Sequence, residues 1–72
     1  MKQQALKAQD GATFYGCVSE VDPGIYCAKC WAELGYLYEH PDSEMFRTET
    51  DGIAWIQFKA LSRGFDRWHR QL

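Results

Sequence analysis

The chain has 72 residues, of which 46% are hydrophobic, 15% aromatic and 25% charged, and its net charge is −2. That length gives one domain whose own core is marginal, so a metal, a disulfide or an oligomer contact is expected to support it. The composition excludes a disordered chain, and no run approaches the roughly 18 to 20 apolar residues of a membrane-spanning helix.

Three cysteines cannot all pair internally, and no apolar leader follows Met1-Lys2-Gln3-Gln4. A reduced, cytoplasmic setting is therefore expected. Charge is unevenly placed. Between Ser19 and Asp51 eight acidic side chains face only Lys29 and Arg47, whereas Lys59, Arg63, Arg67 and Arg70 crowd the end of the chain. An acidic body with a basic tail bears on the choice of partner.

Residues 1–10 carry a single apolar anchor, Leu6, and are expected to form a flexible N-terminus to a domain over 11–72. Ala12 to Val18 is rich in strand formers, and the pattern resumes from Gly24 to Cys27 after Asp22-Pro23-Gly24. A proline preset for a turn and a glycine free to take positive φ predict a β-hairpin, with Cys17 and Cys27 on its two arms. Trp31 to Gly35 is read as one helical turn closed by glycine, and Tyr36 to His40 as a short alternating strand ended by Pro41.

Two readings compete over Met45 to Phe58. Asp51-Gly52 between FRTET and IAWIQF is a two-residue hairpin signal. The rival is a long helix capped near Asp51. The hairpin is preferred because Ile53 and Ile56 fall off the stripe that a continuous helix would need. From there on Phe58, Leu61, Phe65, Trp68 and Leu72 recur at helical steps, within a stripe roughly 80° wide, with the basic residues opposite. The expected fold is a small α+β zinc-stabilised domain: two short β-hairpins around a Cys-x-x-Cys knuckle, then an amphipathic C-terminal helix.

The knuckle is Cys27-Ala28-Lys29-Cys30. If the two inner residues make a tight turn, both thiolates point at one ion. A closed structural zinc site needs four ligands. Cys17 lies as far before Cys27 as His40 lies after Cys30, so Cys17, Cys27, Cys30 and His40 are the expected ligands of one structural Zn2+, with His69 in reserve as the fourth. Such a site has no open position for substrate. Ser19, Ser43 and Ser62 sit in no catalytic motif, and there is no glycine-rich phosphate loop. A non-enzyme is expected.

The stretch IYCAKCWAELGYL resembles the single-knuckle zinc-ribbon segments of small phage and prophage proteins, in which an aromatic precedes Cys-x-x-Cys and a short acidic turn leads into a strand. The resemblance covers Ile25 to Leu37 and lacks a second Cys-x-x-Cys. It implies a zinc-binding regulator that binds and inhibits a host protein, such as a pilus-assembly, defence or transcription component.

Two functions follow from the residues. A protein-interaction module would use surplus aromatics, with Tyr15, Tyr36, Tyr38 and Trp55 as candidate anchors and an acidic face around Glu39, Asp42 and Glu44 selecting a basic patch. The alternative is nucleic-acid binding through Lys59, Arg63, Arg67 and Arg70, which the acidic body opposes. Either a monomer or a homodimer fits these features.

Overall fold

Asp22-Pro23-Gly24 reverses the chain as its chemistry requires. In the computed structural model, which describes residues 12–34, 37–38, 40–65 and 69–70, strand β1 (Thr13–Asp22) returns as strand β2 (Ile25–Leu34). Gly24 takes φ +75° at the turn, where its N–H donates to Glu20 Oε2 at 3.1 Å. The strands pair antiparallel from Thr13↔Glu33 to Asp22↔Ile25, with one irregularity between Glu20 and Asp22.

Two further strands run along the other edge of β2. Strand β3 (Leu37–Tyr38) pairs with Glu33 and Leu34, and strand β4 (Asp42–Phe46) pairs from Cys30↔Asp42 to Tyr26↔Phe46. Between these two segments the register slips by one residue. Strand β5 (His69–Arg70) lies parallel to β1 on its far edge, with Tyr15 opposite His69 and Gly16 opposite Arg70. The result is a five-stranded sheet with β1 and β2 at its centre.

Helix α1 (Glu49–Ser62) covers one face. Thr48 caps it, its Oγ1 accepting the Asp51 N–H at 3.1 Å, and acidic Glu49 and Asp51 sit in the first turn where the helix dipole favours them. The far end closes through Gly64 at φ +87°: the Phe65 N–H donates to the Ala60 carbonyl at 2.9 Å and the Gly64 N–H to that of Leu61 at 3.1 Å. These paired bonds satisfy carbonyls that a bare helix end leaves open. Among the described residues no helix is long and apolar enough to cross a membrane.

Alternation along the strands decides what meets the helix. Side chains on a strand point to opposite faces in turn, and the even positions Phe14, Gly16, Val18, Ala28, Cys30 and Ala32 lie on the α1 side. There Phe14, Ala28, Cys30, Ile56, Ala60 and Phe65 form the buried core, with Val18, Ala32, Phe46, Ile53 and Trp55 packed around it. Small residues bring helix and sheet close together. A Cβ at Gly16 would stand 2.5 Å from Ile56 Cγ2, and one at Gly52 would stand 3.2 Å from a Val18 methyl and 3.4 Å from the Ala28 Cβ.

The α+β class and the first hairpin agree with the sequence reading, and five local expectations do not. Cys27-Ala28-Lys29-Cys30 is no knuckle, because all four residues lie within β2, and Trp31 to Leu34 continues that strand where a helical turn was expected. Asp51-Gly52 forms no hairpin: the helix begins at Glu49, and Gly52 is buried where it meets β1 and β2. The C-terminal helix ends at Ser62, and His69–Arg70 is a strand. The expected buried stripe is also displaced, since Phe58 and Leu61 are 67% and 64% exposed. Residues 1–10 lie outside the described residues, as do Gly35 and Tyr36.

Candidate functional site

The expected metal ligands are divided by the sheet. Cys30 is fully buried on the helix side, within the core formed around Phe14 and Ile56. Cys27, three positions earlier on the same strand, faces the other way, as three steps along a strand must. Cys17 is opposite Lys29 and Cys27 is opposite Ser19, so these two share the face away from α1. His40 is exposed just before β4, its Nδ1 3.3 Å from the Pro41 carbonyl oxygen. His69 is in β5 on the far edge.

One zinc ion cannot be reached from both faces of β2, so Cys17, Cys27, Cys30 and His40 do not fit a single closed site in this fold. Among the described residues no group of three or more His, Cys, Asp or Glu side chains is placed to hold one metal ion. The Cys-x-x-Cys spacing converges only when the intervening residues turn, and here they are extended.

Basic residues are redistributed as well. Arg63 Nη2 lies 2.7 Å from Asp42 Oδ2, with Lys59 Nζ at 3.6 Å from the same oxygen. Lys59 also stands 5.6 Å from the centre of the Trp55 ring, and Arg63 5.8 Å from that of Phe14. Both cations therefore brace α1 against β4 and the core, and no basic outer helix face is formed by them. Asp42, expected on an acidic contact face, is the other half of that brace. Arg67 lies outside the described residues, and Arg70 enters only through the backbone of β5.

The face opposite α1 carries the odd positions. Tyr15 and Trp31 are cross-strand partners whose rings stack at 5.6 Å and 18°. The Trp31 Nε1–H donates to Glu33 Oε2 at 2.8 Å, which fixes the indole in the plane of the pair. Lys29 is exposed beside them, and Met45, paired with Cys27 across β2 and β4, is 59% exposed. Of the four expected aromatic anchors only Tyr15 is described on this face. Trp55 is on the helix, its ring tilted at 51° against that of Phe46 with centroids 5.8 Å apart; Tyr36 and the side chain of Tyr38 lie outside the described residues.

Trp31 and Met45 escaped the sequence reading. The signal was present: Ala28, Cys30 and Ala32 alternate with Lys29, Trp31 and Glu33, the period of a strand with one small-residue face. Reading Cys-x-x-Cys as a turn concealed it.

Burial pushes the Cys30 thiol above the ordinary cysteine range, opposed by Arg63 and reinforced by Asp42, with weaker contributions from Lys59 and Cys17. Burial also raises Cys17, with Lys29 opposing. A thiol whose folded pKa is raised holds its proton longer in the folded state than in the unfolded chain. Its contribution to stability is therefore complete below the unfolded value of about 8.5 and declines as pH rises beyond it. The midpoint of urea unfolding is expected to fall between pH 8 and pH 10, and to fall less in Cys30→Ala. An equal alkaline loss in both proteins would remove Cys30 as the cause.

In comparisons with protein-family models, with curated proteins and with solved structures, no match to this chain was found.

Proposed function

We propose that the chain is a non-enzymatic protein-interaction module whose contact surface is the sheet face opposite α1. The observation that carries this reading is the stacked Tyr15–Trp31 pair on that face. Large, rigid aromatics held by neighbours lose little freedom on binding and are favoured as interface anchors. Met45 and Val21, 59% and 55% exposed, add apolar area.

Exposed charge selects the partner. Glu20, Asp22, Glu44, Glu49 and Asp51 are all exposed, against Lys29 and Arg47, but Glu20 and Glu44 lie on the α1 side of the sheet by alternation and Glu49 and Asp51 are on α1 itself, so this acidity surrounds the contact face rather than lining it. A partner surface with an apolar centre and a basic rim complements this pattern. The resemblance to phage zinc-ribbon segments extends the proposal to a regulator that occupies and blocks a host protein. The interface does not depend on that extension. Binding of nucleic acid is not favoured, because Lys59 and Arg63 are committed to Asp42.

The test is capture from host lysate, followed by titration of the recovered protein. Trp31→Ala is expected to weaken the complex by about 2 kcal/mol, roughly 30-fold in Kd, while Phe58→Ala on the outer helix face leaves it unchanged. Failure to recover a stoichiometric partner, or binding indifferent to both Trp31 and Tyr15, would sink the proposal.

A further inference from the structure

The same sheet face gathers sulfur. Cys17 on β1 and Cys27 on β2 are diagonal neighbours, since Cys27 sits two residues from Lys29, the direct partner of Cys17. Met45 on β4 is the direct partner of Cys27 on its other side. All three project from one face, on three adjacent strands. Directly opposed side chains have Cβ atoms about 4.5 to 5.5 Å apart, and diagonal neighbours are about 7 to 8 Å apart with their Cβ atoms somewhat closer, a span that an ion held between two inward-turned sulfurs would bridge.

We infer that Cys17, Cys27 and Met45 form a site for a single Cu(I) ion. Thiolate and thioether donors select Cu(I) over harder divalent ions, and a set of two or three sulfurs falls short of the four ligands of a closed zinc site. Cys27 is 7% exposed and excluded from the hydrophobic core cluster on the helix side, whereas Met45 is 59% exposed. The site thus has an inner thiol anchor, a half-buried second thiol and an outer thioether that opens to solvent.

Binding is an exchange of protons for metal. Two thiols and one Cu(I) give a bis-thiolate copper complex of net charge −1 and two protons, with no change of oxidation state. Lys29, exposed and directly opposite Cys17 on this face, offsets the charge that results. Cys30 takes no part, because it projects into the core on the other side. The site differs from the one that the Cys-x-x-Cys spacing suggests, because it uses only one cysteine of that motif.

The experiment is anaerobic competition of the full chain against bicinchoninate-bound Cu(I), with X-ray absorption at the copper edge. The wild type is expected to withdraw one Cu(I) per chain and to show a shell of sulfur alone. Cys27→Ser and Cys17→Ser are expected to lose this capacity, Met45→Leu to weaken it, and Cys30→Ala to retain it. Circular dichroism establishes that each variant is folded; if Cys27→Ser is not, the half-buried Cys17→Ser carries the test. Three results would overturn the site: no withdrawal of copper by the wild type, retention in Cys17→Ser, or loss in folded Cys30→Ala equal to that in Cys27→Ser. The last would mean that the two cysteines of the motif bind together in an opened β2.

Discussion

Gly16→Ala is expected to destabilise the domain by about 1 to 3 kcal/mol, the usual cost of forcing a methyl group into a packed core. Propensity alone gives the opposite sign, because glycine inside a strand ordinarily costs about 0.5 to 1 kcal/mol relative to alanine. Packing decides here: the added Cβ would stand 2.5 Å from Ile56 Cγ2 and 3.2 Å from its Cδ1, and Ile56 is itself only 1% exposed. Total stability for a chain of this length is on the order of 4 to 11 kcal/mol, so the loss is a large share of it. A fall in Tm of about 4 to 8 °C per kcal/mol makes it readable by calorimetry.

The second half of that experiment is a double-mutant cycle. Ile56→Ala alone is expected to cost about 2 to 5 kcal/mol through the cavity that it leaves. In Gly16→Ala/Ile56→Ala the new methyl enters space that the isoleucine has vacated, and the double variant should lose clearly less than the sum. An additive cycle, or a neutral Gly16→Ala, would show that helix and sheet do not meet at this point.

Phe14→Ala is expected to cost about 3 to 5 kcal/mol, the largest single loss proposed for this chain. Phe14 is fully buried, its ring 5.3 Å from that of Phe65 and beneath the Arg63 guanidinium. Phe65 is the first residue beyond the glycine that ends α1, so the pair ties the helix exit to the centre of the sheet. The control is the adjacent residue. Tyr15→Ala lies on the opposite face and should cost distinctly less in urea unfolding followed by tryptophan fluorescence. If Tyr15→Ala proved as damaging as Phe14→Ala, the assignment of the two faces would be wrong.

Local turn chemistry was legible where nothing competed with it. Asp22-Pro23-Gly24 has one good conformation, and the first hairpin follows. Asp51-Gly52 offers two, and tertiary packing selected the second. Asp51 serves the first turn of a helix, and Gly52 brings that helix against Val18 and Ala28. No hydrophobic scale marks Gly52, Ile56 and Ala60 as the buried line of α1, because two of the three are valued for being small. Apolar periodicity pointed to Phe58 and Leu61, which face outward.

The candidate site was legible in composition and hidden in geometry. Aromatic and sulfur-bearing residues crowd Tyr15 to Trp31, and that enrichment is real. Whether two cysteines three apart meet or diverge depends on a single local choice between turn and strand. Ala28 and Ala32 around Cys30 favour the strand by giving β2 a smooth face for the helix. The motif itself carries no information about which occurs.

β2 belongs to both faces at once. Its even side chains line the core and its odd ones the outer surface, on a backbone flanked by β1 and β4. Any ligand that requires the odd face to be in register also requires the even face to be packed, so binding and folding here form one linked equilibrium. A ligand present at 100 times its Kd adds about 2.7 kcal/mol to the stability of the fold it recognises, a substantial fraction of what a domain this small possesses. In a chain of this size, occupancy supplies a sizeable share of the resistance to unfolding.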